Sequence, residues 1–197
     1  SARAKQLQAE GQDICSLSAG EPNFDTPEFI RQAASDALHG GATRYGPAAG
    51  EPQLREAIAA KLQRCNGMDV SPQQVLVTNG GKQALYNLFQ VLLDPGDEVL
   101  IPAPYWLTYP ELAGLAGASV KVLPSSASDG FRLDLQALEA LITPNSRLLV
   151  LNTPSNPTGL VLQKHELEGV AALLRRHPQV AVVCDEIYEH LLADGQT

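Results

Sequence analysis

Short apolar runs alternate with amphipathic segments along most of this 197-residue chain. Five runs rich in apolar residues predict buried strands, and they lie at residues 75–78, 98–101, 120–123, 148–151 and 180–184. Apolar residues at helical spacing predict the intervening helices, which cover residues 84–91, 109–116, 133–141 and 166–176. Because strands that alternate with helices are typical of a mainly parallel sheet sandwiched by helices, the pattern predicts an α/β fold.

The first 70 residues have a different pattern, which predicts helices and loops and no strand. Helices are predicted at residues 2–10, at 26–38 with Thr26 as the N-cap, and around 54–62. Two loops rich in glycine and proline separate them, at residues 20–27 and 44–50.

Composition narrows the class of protein. Hydrophobic residues make up 44% of the chain and charged residues 18%, so we expect a packed core. The net charge of −8 argues against nucleic acid or an anionic membrane surface as the main partner, and no apolar stretch is long enough to cross a membrane. The three cysteines, Cys15, Cys65 and Cys184, are widely spaced, which favours a reducing, cytoplasmic compartment. Cys184 ends an apolar run and is expected to be buried.

Polar side chains follow two of the predicted strands. Asn156 comes after the strand at 148–151, and Asp185 and Tyr188 come after the strand at 180–184. Ligands of parallel sheets bind at the carboxyl ends of the strands. A carboxylate can keep the nitrogen of an aromatic ring protonated, while an amide and a phenol can hydrogen-bond a ring hydroxyl. Pyridoxal phosphate is such a ring, and its protonated pyridine is an electron sink.

Two further strand ends carry groups that fit the same ligand. Gly81 and Lys82 lie between a strand and a helix, where backbone N–H groups can bind a phosphate, although a simple tight turn also explains the glycines. Trp106, the only tryptophan, follows the strand at 98–101 and could stack on a ring or fill the core. The combination of four strand ends favours a phosphorylated pyridine over the simpler explanations.

Motifs along nearly the whole chain match a known family. In order they are Ser16–Pro22, Thr43–Tyr45, Asn79–Leu85, Pro104–Trp106, Ser155–Gly159 and Asp185–His190. With these motifs the chain resembles the class I and II aminotransferases of fold type I, in particular the bacterial aspartate aminotransferase branch. The resemblance implies the fold of the transferases that depend on pyridoxal phosphate. Residues 1–44 would be an N-terminal segment on the substrate side, and residues 45–197 would be the large domain that binds the cofactor.

The resemblance also implies roles for single residues around the cofactor ring. Asp185 would pair with the pyridinium nitrogen, and Asn156 and Tyr188 would hydrogen-bond the ring hydroxyl. Trp106 would stack on the ring and contact the substrate. The peptide bonds Ala103–Pro104 and Asn156–Pro157 would be cis.

Other implied contacts involve the phosphate, the substrate and a second subunit. Gly81 and Lys82 would present backbone N–H groups to the phosphate. Tyr45 would reach the phosphate of a partner subunit, which implies a homodimer. Gly20 would contact the α-carboxylate of the substrate together with Asn156. No metal is implied.

The family's lysine that forms the Schiff base is expected beyond Thr197, so the chain is expected to be an internal fragment without the catalytic residue. The large domain would be incomplete, and later strands would fill the sheet between the strands at 180–184 and 75–78. The implied reaction is transamination in amino acid metabolism and biosynthesis, with aspartate and 2-oxoglutarate as substrates. A C–S lyase, an aminocyclopropane-carboxylate synthase-like enzyme and a non-catalytic aminotransferase-like module remain alternatives.

Overall fold

The computed structural model describes residues 2–15, 20 and 24–192. The chain divides into two compact units, Ser1–Pro47 and Ala48–Thr197. The described part of the first unit contains helices α1 (Ala2–Ala9) and α2 (Glu28–His39). Helix α2 has Pro27 as its N-cap, with no side-chain cap, so the prediction of Thr26 as the N-cap was wrong. Pro27 itself has extended backbone angles (φ −52°, ψ 141°), and the helix therefore begins after it.

The second unit contains the alternating pattern of helices and strands. In chain order its elements are α3 (Pro52–Lys61), α4 (Gly81–Leu92), β1 (Glu98–Pro102), α5 (Thr108–Leu115), β2 (Ser119–Leu123), α6 (Leu135–Leu141), β3 (Ser146–Asn152), α7 (Lys164–Leu174) and β4 (Ala181–Asp185). Helix α3 continues into a π-helical turn, and two single 3₁₀ turns lie in the loops. None of the helices among the described residues combines the length and apolar character that a membrane span needs.

The four strands form one parallel sheet in the order β2–β1–β3–β4. Successive residues of a strand point to opposite faces of a sheet, so β1 and β3 supply both halves of the core. On one face Val99 and Val150 pack with α4 and α5, and on the other face Leu100 and Leu149 pack with α6 and α7. The predicted α/β fold with helices on both faces is confirmed.

The apolar run at residues 75–78 does not form a strand, which corrects the sequence prediction. Val75 has extended backbone angles (φ −100°, ψ 127°), but in the described chain no neighbouring strand pairs with this segment. The Val77 N–H donates to the Ala49 carbonyl at 3.0 Å, and the other backbone–backbone hydrogen bonds of this segment among the described residues are local turns, from the Val75 N–H to the Pro72 carbonyl and from the Gly80 N–H to the Thr78 carbonyl. A strand exists only where a partner completes the ladder, and the apolar pattern does not provide that partner.

Strand β4 lies at one edge of the described sheet and pairs only with β3 there. Ala181, Val182 and Cys184 of this strand are exposed. The prediction that Cys184 is buried was therefore wrong, because the apolar composition of β4 does not decide whether its outer edge is covered.

Candidate functional site

A cavity of about 330 Å³ lies at the carboxyl ends of β3 and β4, next to the first turn of α4. Its lining includes all six cofactor residues that were predicted within the second unit: Gly81, Lys82, Trp106, Asn156, Asp185 and Tyr188. The parallel sheet brings them together because β1, β3 and β4 all end at the same side, as ligand sites of open parallel sheets require.

Asp185 is the last residue of β4, and its carboxylate is half-buried. One oxygen accepts a hydrogen bond from the Tyr109 hydroxyl at 2.7 Å, and the other accepts from the Ile187 N–H at 3.3 Å. Burial raises the pKa of Tyr109, and the hydrogen bond to Asp185 raises it further. Tyr109 therefore remains a protonated donor, and the Asp185 carboxylate has lone pairs left for a donor in the cavity.

Asn156 and Tyr188 lie next to each other in the loops after β3 and β4. The Asn156 amide nitrogen is 3.4 Å from the Tyr188 hydroxyl, and both side chains are half-buried. An amide donor and a phenol side by side can bind the same oxygen of a ligand.

Asn152, the last residue of β3, connects these two loops. Its amide oxygen accepts a hydrogen bond from the Asn156 N–H at 2.7 Å, and its amide nitrogen donates to the Asp185 carbonyl at 2.9 Å.

The predicted cis bonds Ala103–Pro104 and Asn156–Pro157 are both present, and Thr153–Pro154 is also cis.

The first turn of α4 offers unpaired N–H groups to the cavity. Gly80 precedes the helix at φ 82°, a conformation that suits glycine, and it provides no side-chain cap. In the described structure the N–H groups of Gly81 and Lys82 have no hydrogen-bond partner. Free N–H groups at a helix N-terminus, together with the helix dipole, favour an anion such as a phosphate.

Trp106 both packs against the core and lines the cavity, so the two sequence interpretations of this residue are compatible. Its ring meets Tyr109 edge-on, with centroids 5.5 Å apart and an interplanar angle of 83°. The Lys82 ammonium lies 4.9 Å from the centroid of the Trp106 ring, within the range of a cation–π contact. Lys82 is the one lysine or arginine in the cavity lining formed by the described residues.

Two predicted residues belong to the first unit, and their roles remain predictions. Gly20 and Tyr45 are both exposed. The motif at residues 16–22 lies outside the described residues except for Gly20.

Within the parts of the chain that the structure describes, no cluster of histidine, cysteine or carboxylate side chains is arranged to hold a metal ion.

Sequence reasoning gave no role to Tyr109 or Asn152, which hold Asp185 in place. A signal for Tyr109 was available, because it follows Trp106 by three residues at the start of a predicted helix and such residues are neighbours on a helical turn. Asn152 faces Asp185 in the register of β3 and β4, and only the pairing of the strands reveals this.

Comparisons with known proteins show which family the chain matches. A family model described as aminotransferase class I and II matches residues 12–197. The chain is 49% identical over 195 residues to the aspartate/prephenate aminotransferase of Thermus thermophilus, which covers 99% of this chain and 50% of that protein. It is 48% identical over 190 residues to a bifunctional aspartate aminotransferase and glutamate/aspartate-prephenate aminotransferase of Petunia hybrida, covering 96% of this chain and 40% of that protein.

Solved structures show the same similarity. The aspartate aminotransferase of Thermus thermophilus with maleate superimposes with a TM-score of 0.95 at 49% identity, covering 99% of this chain and 51% of that one. The aspartate aminotransferase of Rhizobium meliloti gives a TM-score of 0.94 at 44% identity, covering 99% and 49%. The fold is therefore that of fold type I aminotransferases, and the chain spans about half the length of the relatives that it matches.

Proposed function

Because this chain belongs to the family of class I and II aminotransferases, we propose that the whole protein transfers an amino group from aspartate to 2-oxoglutarate with pyridoxal phosphate as cofactor. The observation that carries the proposal is the cavity at the carboxyl ends of β3 and β4. It combines a carboxylate, an amide, a phenol and free helix N–H groups around a volume of about 330 Å³.

The groups of this cavity fit the cofactor one by one. The Gly81 and Lys82 N–H groups, which have no partner among the described residues, would bind the phosphate. Asn156 and Tyr188 would bind the ring hydroxyl, and the Trp106 ring offers an aromatic surface beside them. When bound, pyridoxal phosphate supplies an electron sink that stabilises negative charge on the α-carbon of an amino acid.

Asp185 would hold the proton on the ring nitrogen. A carboxylate next to a protonated nitrogen favours the charged form of both groups. The Tyr109 hydroxyl fixes one carboxylate oxygen at 2.7 Å, and because burial raises the pKa of Tyr109, the hydroxyl stays protonated and keeps donating this hydrogen bond. Tyr109 therefore orients Asp185 and leaves other lone pairs of the carboxylate for the ring nitrogen.

The names of the relatives support an acidic substrate, because they include aspartate. Aspartate and 2-oxoglutarate each carry two carboxylates. In the described cavity the Lys82 ammonium is the one cation that could pair with such a group, and it lies in the same lining as the carboxylates of Asp185 and Glu186. Gly20, Asn156 and Trp106 are proposed as further substrate contacts, with Gly20 and Asn156 at the α-carboxylate. Prephenate, which appears in the names of the relatives, is also a 2-oxo acid with two carboxylates and is a second acceptor to assay.

We propose that the protein acts as a homodimer in the cytoplasm. Tyr45, whose side chain is fully exposed, would contact the phosphate bound to the partner subunit. Tyr45→Phe should then weaken cofactor binding without changing the dimer measured by sedimentation.

The test is an assay of the whole protein with aspartate and each of the two acceptors. Oxaloacetate and an amino acid product should form in equal amounts, with no release of ammonia. Ammonia release would favour a lyase, and no reaction despite cofactor binding would favour a non-catalytic module. We expect residues 1–197 alone to bind pyridoxal phosphate weakly and to show no turnover, since the chain spans about half the length of its relatives.

A further inference from the structure

One side chain at the end of β3 contacts the backbone of two residues that line the cavity. The Asn152 amide oxygen accepts from the Asn156 N–H at 2.7 Å, while the amide nitrogen donates to the Asp185 carbonyl at 2.9 Å. Asn152 and Asp185 are partners in the register of β3 and β4, so the contact lies where the sheet ends. The Thr153 N–H also donates to the Asp185 carbonyl, at 3.2 Å.

The chemistry of these two contacts requires an amide. Beyond the last pair of the ladder, backbone N–H and C=O groups need other partners. At this position one acceptor and one donor are needed on the same short side chain. Asparagine supplies both, aspartate supplies acceptors only, and leucine supplies neither.

We propose that Asn152 is a positioning residue that orients Asn156 and Asp185 together for cofactor binding; this inference rests on the function proposed above. Asn152 lines the cavity, but both polar atoms of its amide are engaged by the backbone of these two neighbours. It therefore acts through Asn156 and Asp185, and its effect on the cofactor depends on their presence.

Two variants of the whole protein disrupt these contacts in different ways. Asn152→Ala removes both hydrogen bonds. Asn152→Asp has nearly the same size and keeps the acceptor for the Asn156 N–H, but it places a carboxylate oxygen against the Asp185 carbonyl oxygen. The matched control is Asn145→Ala, because Asn145 is an exposed asparagine just before the opposite end of β3.

The measurements are the Kd for pyridoxal phosphate, the circular dichroism that the protein induces in the bound cofactor, and the Tm without cofactor. Both Asn152 variants should raise the Kd about tenfold, because a tenfold loss of affinity is typical of the loss of one to two hydrogen bonds. Both should also reduce the induced circular dichroism at saturating cofactor. The control variant should match the wild type in the Kd and in the induced signal.

A double-mutant cycle with Asp185→Ala distinguishes positioning from a purely structural role. If Asn152 acts through Asp185, Asn152→Ala should raise the Kd by a much smaller factor in the Asp185→Ala background than in the wild type. Additive effects on the Kd would overturn the proposal. So would a lowered Tm with an unchanged induced signal, or an Asn152→Ala protein that does not fold, since both results indicate a structural role.

The same experiment separates this inference from the proposed function. A wild-type protein that does not bind pyridoxal phosphate contradicts both. A wild-type protein that binds the cofactor and transaminates, while Asn152→Ala behaves identically, contradicts only the role of Asn152.

Discussion

The two ends of the parallel sheet each hold a carboxylate that accepts a hydrogen bond from a hydroxyl group, yet they serve different purposes. At the amino end, Glu98 accepts from the Thr143 hydroxyl at 2.6 Å and from the Ser146 hydroxyl at 3.2 Å, with the Lys121 ammonium 3.4 Å away. At the carboxyl end, Asp185 accepts from the Tyr109 hydroxyl and lines a cavity.

The difference lies in how completely each carboxylate is satisfied. Three donor groups surround Glu98, whose side chain is only 12% exposed, so its charge stabilises the junction of β1, β2 and β3. Asp185 has fewer protein donors and faces a space large enough for a ligand. A polar group with all partners supplied by the protein contributes to stability, whereas one left with free lone pairs at a cavity is available for binding.

Removing the Asp185 side chain, at the carboxyl end of the sheet, should have the largest effect on catalysis. In the whole protein, Asp185→Ala should lower the rate of the half-reaction with aspartate by at least about a hundredfold, as expected when a preorganised charge is lost. Asp185→Glu should retain more activity. Rapid-mixing kinetics measure both rates, and a rate for Asp185→Ala near that of the wild type would show that Asp185 does not pair with the ring nitrogen.

Removing the hydrogen bond that orients the Asp185 carboxylate should have a smaller effect on catalysis than removing the carboxylate itself. Tyr109→Phe removes the hydroxyl that donates to Asp185 and keeps the ring that packs in the core. We expect kcat/KM to fall about tenfold, because a hydrogen bond to a charged group is worth about 1.5–3 kcal/mol. Tyr86→Phe is the control, since Tyr86 is partly exposed on α4. Equal kinetics for the two variants would contradict the role of Tyr109.

The corresponding change at the amino end should affect stability alone. Glu98→Gln weakens the hydrogen bonds from Thr143 and Ser146 and removes the attraction to Lys121, and it should lower the free energy of unfolding by about 1 kcal/mol. Urea denaturation measures the loss, with Glu111→Gln on the exposed face of α5 as the control. A change in kcat for Glu98→Gln would show that the two ends of the sheet are not independent.

The smallest expected effect is the contribution of Glu98 to the pH dependence of the free energy of unfolding. The Thr143 hydroxyl holds the pKa of Glu98 below its ordinary value of 4.5, with Lys121 and Ser146 adding to the effect against the opposing influence of burial. A carboxyl whose pKa is lower in the folded state stabilises the protein above pH 4.5, and this stabilisation is lost as the pH falls through the folded pKa.

Unfolding measured between pH 6 and pH 3 should therefore show a steeper acid loss in the wild type than in Glu98→Gln. Parallel curves for the two proteins would mean that Glu98 contributes nothing to the acid sensitivity of the fold.

The sequence by itself determined the α/β alternation and the cluster of cofactor residues. Apolar runs bounded by turn residues specify strands whose two faces are covered, and four of the five predicted strands are present. Since the strands run parallel, the residues that follow them share one edge, and Trp106, Asn156 and Asp185 could be brought together from the sequence alone.

Only the tertiary structure decided which polar groups are paired and which edges are covered. Tyr109 and Asn152 hold Asp185 through contacts that depend on how α5 docks and on the register of β3 and β4, and local sequence does not encode either. The segment at 75–78 and Cys184 were misjudged for the same reason. Burial and strand pairing belong to pairs of elements, whereas hydrophobic patterning describes one element at a time.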